Sequence, residues 1–149
     1  MRTAMALHSA ILLLGIGTLA AGKKMKVQDL PAAVRQTVTE QTMNATLVGL
    51  TKEVEKGKTV FELETRKPNG QTRDLMIDTT GAVLSVEEEV ALDSLPAPAK
   101  AAIEKSAAGG KIIKLETLAE GKEITYEAAI VKKGKKSSIT VRANGTQVK

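Results

Sequence analysis

The sequence predicts an α+β fold: two tandem repeats, each a helix plus an antiparallel meander, with the helices packed on one face of an antiparallel sheet. Three observations predict it. Leu30-Pro31-Ala32 recurs as Leu95-Pro96-Ala97. After each copy come apolar residues spaced by four, and then apolar residues spaced by two. Turn-type glycines, Gly81 and Gly145, stand at matching places near the end of both copies.

The first repeat spans residues 27–90 and the second 91–149. At one constant offset Val34 meets Ala99, Arg35 meets Lys100, Val38 meets Ile103, Leu50 meets Leu115, Phe61 meets Tyr126 and Lys67 meets Lys132. Past the next turn the offset shortens by one residue, so that Leu75 meets Ile139 and Ile77 meets Val141. A hairpin turn absorbs such a slip most easily. Asp29 and Ser94 are cap-type residues ahead of each helix, with Pro31 and Pro96 in its first turn. Leu30, Val34 and Val38 line one helical face, as do Leu95, Ala99 and Ile103. The first helix is expected to end near Thr42 to Asn44, and the second before Gly109-Gly110.

Strands follow at Thr46 to Glu55 and Lys111 to Leu118. Phe61 and Leu63 alternate with Glu62 and Glu64, and the period of two returns around Tyr126, at Leu75 and Ile77, and at Ile139 and Val141. Such alternation marks strands with one packed and one wetter face. Pro68-Asn69-Gly70 reads as a tight turn. Asp78-Thr79-Thr80-Gly81 and Arg142-Ala143-Asn144-Gly145 read as matching turns. Val83 to Glu88 gives the first repeat a full fourth strand, whereas Thr146 to Lys149 is a stub. One helix over so small a sheet buries little, so a continuous sheet and a shared core are expected.

The amino terminus reads as a cleavable signal peptide over residues 1–20. Arg2 gives the positive end, an apolar run opens at Ala10 to Leu14, and Thr18-Leu19-Ala20 supplies small residues for the peptidase. The run is shorter than the roughly 20 residues of a spanning helix. The remaining 21–149 suits one domain, exported to the periplasm or beyond the cell. Arg2 is the only charged residue in the leader, so 22 basic and 17 acidic residues become 21 against 17, a net +4. Mild basicity without stacking aromatics argues against nucleic acid, and no membrane association is expected after cleavage.

The chain has no cysteine, and its single histidine, His8, lies in the leader. The expected mature domain therefore lacks the common thiol nucleophile, the common neutral-pH base and the usual transition-metal ligands. No catalytic residue, metal or cofactor is expected. Ser137 and Ser138 lie near lysines, but those lysines belong to a solvated hairpin. Glu87-Glu88-Glu89, with Glu62 and Glu64, could be read as a calcium site or a glycosidase pair. Contiguous glutamates in a strand point to opposite faces, however, and the run reads as a solvated linker. Asn44-Ala45-Thr46 and Asn144-Gly145-Thr146 match the glycosylation pattern only by accident in a leader of bacterial type.

The helix opening Leu30-Pro31-Ala32-Ala33-Val34, the strands Val60-Phe61-Glu62-Leu63 and Thr125-Tyr126-Glu127-Ala128, and the turn before Ala82-Val83-Leu84 resemble PepSY-like domains. More narrowly, they resemble exported bacterial proteins described as beta-lactamase-inhibitor-like and PepSY-like. The resemblance covers nearly all of the mature chain as two copies. It implies a non-catalytic role in binding, inhibiting or chaperoning a secreted or envelope protein such as a peptidase. It carries over no catalytic residues. The scarcity of aromatics and the stub final strand depart from the family.

The candidate contact residues are two basic hairpins: Arg66, Lys67 and Arg73 in the first repeat, and Lys132, Lys133, Lys135 and Lys136 around Gly134 in the second. They suit an acidic protein partner, although lysines also blunt exposed strand edges. The alternatives are a small-ligand or cation-binding envelope protein, or a structural one without a discrete site. Nothing in the sequence sets the oligomeric state, although the stub strand could pair within its own sheet or with another molecule.

Overall fold

The computed structural model describes residues 22–148, so the signal peptide expected at 1–20 lies outside the described residues. In chain order come β1 (Lys23–Lys24), α1 (Ala32–Gln41), β2 (Thr46–Glu55), β3 (Lys58–Arg66), β4 (Thr72–Asp78), β5 (Val83–Glu89), α2 (Ala97–Ala107), β6 (Lys111–Glu120), β7 (Glu123–Lys132) and β8 (Lys135–Arg142). A 3-10 turn precedes each helix, at Val27–Asp29 and Leu92–Ser94.

The strands form one eight-stranded antiparallel sheet whose spatial order is its chain order. This corrects the α+β expectation of two tandem helix-plus-meander repeats. The fold is dominated by a single sheet, and helix is the minor element. The expected boundary at residues 90 and 91 falls where β5 hands over to β6, and these strands pair from Ser85↔Glu120 to Glu89↔Glu116. The reason is the strand edge. A four-stranded unit ending at β5 would leave the N–H and C=O groups of Val83–Glu89 open, and β6 satisfies them. The continuity of the sheet is as expected.

Cross-strand partners share a face. Leu50, Leu63, Leu75 and Val86 are linked in one row by successive pairings. Two residues along β5, Glu88 continues that face through Thr117 and Tyr126 to Val141. Both helices therefore cover the same face. Their cores are separate, which corrects the shared-core expectation. Leu30, Val34 and Val38 pack on Leu50, Phe61, Leu63, Leu75 and Ile77. Leu95, Ala99, Ile103 and Ala107 pack on Leu115, Ala128, Ile130, Ile139 and Val141. Phe61 is buried and Tyr126 half-buried against the second cluster, as core residues should be.

Pro31 and Pro96 are N-cap residues rather than first-turn residues, and neither cap carries a side-chain bond. Proline disfavours helical backbone in the residue before it. Leu30 and Leu95 accordingly sit at ψ 150 and 151. Asp29 and Ser94 are left inside the 3-10 turns. The stub also has a partner. Gln147 bridges to Val141, and Val148 N donates to Thr140 O at 2.8 Å, so the segment folds back on β8.

Candidate functional site

The opposite face of the sheet bears no helix, and its chemistry comes from strand register. Glu64 stands opposite Asp74, and Asp74 opposite Glu87, on three adjacent strands. Two residues along β5, Glu89 stands opposite Glu116, and Glu116 opposite Glu127. Glu62 lies beside Glu64 in the next row, between Thr51 and Met76. All of these carboxylates are half-buried, because neighbouring stems crowd them on a pleated surface.

The environment resists their ionisation. Burial, then the Glu64 charge, pushes Asp74 up to about 6. Burial, then Glu116, pushes Glu87 up to about 7. Glu62 is raised by burial and by Glu53, against a hydrogen bond from Thr51 Oγ1 at 3.2 Å. Glu127 is raised by burial and by Glu116, against a bond from Ser138. One cation sits among them. Lys114 Nζ lies 2.6 Å from Glu116 Oε1. Burial opposes its charge, but Glu116, Asp74 and Glu87 together hold the ammonium above the ordinary lysine range. No group of three carboxylates among the described residues converges enough to hold a metal ion.

The basic hairpins lie elsewhere. The turns after β3 and β7 are at the same end of the sheet, four strand spacings apart, or roughly 19 Å. The structure therefore does not bring the two sets together. The first set is engaged internally: Lys67 Nζ binds Glu88 Oε1 at 2.6 Å, Arg73 Nη1 donates to Gln41 Oε1 at 2.9 Å, and Arg66 Nη1 donates to Gly70 O at 3.0 Å. In the second, Lys132 Nζ donates to Ala108 O just past α2, while Lys133, Lys135 and Lys136 are exposed. Glu87-Glu88-Glu89 is strand rather than linker. Its residues do alternate faces: Glu88 meets Lys67 on the helix side, and Glu87 meets Asp74 on the other.

Asp74, Lys114, Glu116 and Glu127 escaped the sequence reading. Each looks like an ordinary solvated strand residue until the register joins them. The outward phase of the period-two alternation was the available signal.

The architecture has counterparts among solved structures. A DUF2874 family protein from Bacteroides ovatus superposes with a TM-score of 0.63 at 16% identity, over 80% of this chain and 85% of its own. A BLIP-like protein from Bacteroides fragilis gives 0.60 at 18%, over 80% and 84%. A protein from Bacteroides eggerthii, provisionally named as periplasmic, gives 0.65 at 14%, over 80% and 86%. The fold is shared. At these identities the likeness extends to the fold alone. It fits a beta-lactamase-inhibitor-like fold and does not reach PepSY domains specifically. No family model matches the chain, and no curated protein matches it.

Proposed function

We propose that the chain is an exported, non-catalytic binding module that docks another protein on the helix-free face of its sheet, in order to inhibit or chaperone it. The observation that carries this reading is the sheet itself. One face is sealed by two helices, while the other presents a broad surface of half-buried polar groups with no covering element among the described residues. Occlusion by such a surface requires shape and charge rather than chemistry. Export is supported by the leader read at 1–20 and by the periplasmic naming of a structural neighbour. No helix of the described residues is long and apolar enough to cross a membrane. Lys133, Lys135 and Lys136 offer a basic corner to an acidic segment of the same partner.

The test uses a photo-crosslinking residue at Ser85, on the helix-free face, and at Arg35, on the outer surface of α1. A saturable adduct with one envelope or secreted protein, formed from Ser85 and displaced by unlabelled chain, is expected. Equal capture from both positions, or none from Ser85, overturns the reading.

A further inference from the structure

We infer that the surface docking on the helix-free face is cationic, a protein patch of lysine and arginine side chains that enters the carboxylate rows. This rests on the reading of that face as the docking surface, and gives it a chemistry.

The arrangement is unfavourable in the isolated chain. Like charges directly opposite across strands are destabilising, and here they are stacked two pairs deep: Glu64, Asp74, Glu87, then Glu89, Glu116, Glu127. The fold does not require acids at such places, since Thr51, Ser85 and Ser138 occupy the same face. Composition does not impose them either, because the chain carries a formal +5. Two of its cations are directed away, Lys67 to Glu88 on the helix side and Lys132 to the end of α2, while Lys111 and Lys136 share the open face only beyond the carboxylate rows, opposite Val131. Conflicts between local rules and the fold gather at functional sites.

Lys114 shows what the field accepts, since its ammonium already pairs with Glu116 there. A single metal ion is a poor match. Carboxylates in a row stand about 4.8 Å apart per strand, whereas one calcium ion needs its oxygens at about 2.3–2.6 Å. A row of side-chain cations on a protein surface has the matching spread.

An arriving cation would favour the ionised carboxylates, so docking should release protons near neutral pH and strengthen as pH rises. The groups facing Asp74 and Glu87 are Glu64 from β3, and Lys114 and Glu116 from β6, with Glu127 beyond.

The probe is a deca-lysine peptide titrated calorimetrically into the full chain at low salt, at pH 8.0 and 5.5, in two buffers of different ionisation enthalpy. Saturable binding is expected at pH 8.0, with proton release and several-fold weaker affinity at pH 5.5. Asp74→Asn with Glu87→Gln should lose about tenfold. Arg35→Gln, on the outer surface of α1, should weaken nothing. Both variants are first checked for an intact thermal transition. Undiminished affinity in the Asp74/Glu87 variant, equal binding of deca-glutamate, or one-site calcium binding that blocks the peptide overturns the inference. A Ser85 crosslink to a partner that deca-lysine does not displace sinks the cationic chemistry and leaves the docking face standing. Loss of the Ser85 crosslink while the peptide still binds sinks the docking reading instead.

Discussion

The two halves of the helix-covered face solve one packing problem with side chains of different size. Under α1 the helix contributes Val34 and Val38 and the sheet contributes Phe61, Leu63 and Leu75. Under α2 the helix contributes Ala99 and Ala107, and Ala128 stands on β7 where Leu63 stands on β3. The α2 backbone comes within 8 Å of β7 and β8 along several residues, whereas α1 stands further from its strands. Small residues let backbones approach, and large ones fill the gap when they do not.

Exchanging the two solutions should break both. Leu63→Ala removes a fully buried side chain and should cost about 2–5 kcal/mol, since a distant α1 cannot collapse onto the cavity. Ala128→Leu forces extra methylenes beneath a close α2 and should cost about 1–3 kcal/mol. Denaturant unfolding measures both. A smaller loss in Leu63→Ala than in Ala128→Leu would refute the account of the two separations.

The turns sharpen the comparison, because there the halves are alike. Gly81 has φ +85, and a Cβ would lie 2.7 Å from Ala33 O; Gly145 has φ +81, and a Cβ would lie 2.7 Å from Pro98 O. Each Gly→Ala change should lose about 1–3 kcal/mol, from left-handed backbone plus a collision with a helix carbonyl. Thermal melts of the two variants should shift together. A large shift in only one would show that the turns are not equivalent supports for their helices.

The two faces differ in their response to pH. Asp74 and Glu87 have folded pKa values of about 6 and about 7, above their ordinary values of 3.8 and 4.5. The folded chain therefore holds more protons than the unfolded chain between those limits, and stability falls as pH rises through about 4 to 7. The melting temperature should be higher at pH 5 than at pH 8, and Asp74→Asn with Glu87→Gln should flatten the difference. A melting temperature that rises over that range in the parent chain would contradict the electrostatics assigned to the face. The smallest effect belongs to the helix-side pair. Lys67→Gln loses a partly exposed bond to Glu88 and should cost about 0–1 kcal/mol, readable by the same melts.

Local pattern made much of the fold legible. The strand expected at Thr46 to Glu55 is β2, and the helices end within a residue or two of Thr42 and Gly109. Those limits come from alternation, spacing by four and turn glycines, all properties of neighbours in sequence. Three things were not local. The β1 strand is two lysines paired with Thr51 and Lys52, too short to show a period. The separation of the cores depends on where each helix lands on the sheet. The acidic face needs the register of five strands, because Glu64, Asp74, Glu87, Glu116 and Glu127 are each unremarkable alone. The basic hairpins stood out because their charges are contiguous in sequence. In the first set, Lys67 and Arg73 have partners distant in sequence, Glu88 and Gln41.

Strand order identical to chain order has a consequence for how the molecule is made. No strand must wait for a partner synthesised much later, since each of β2 to β8 meets one that has already emerged. A chain delivered amino end first can add hairpins to a growing edge, with the α1 passage between β1 and β2 and the α2 passage between β5 and β6 closing the longer loops. Low contact order of this kind favours rapid folding. It also means that a nascent chain halted at Glu89 would present β5 as a bare edge, the point at which stalled biogenesis would invite aggregation.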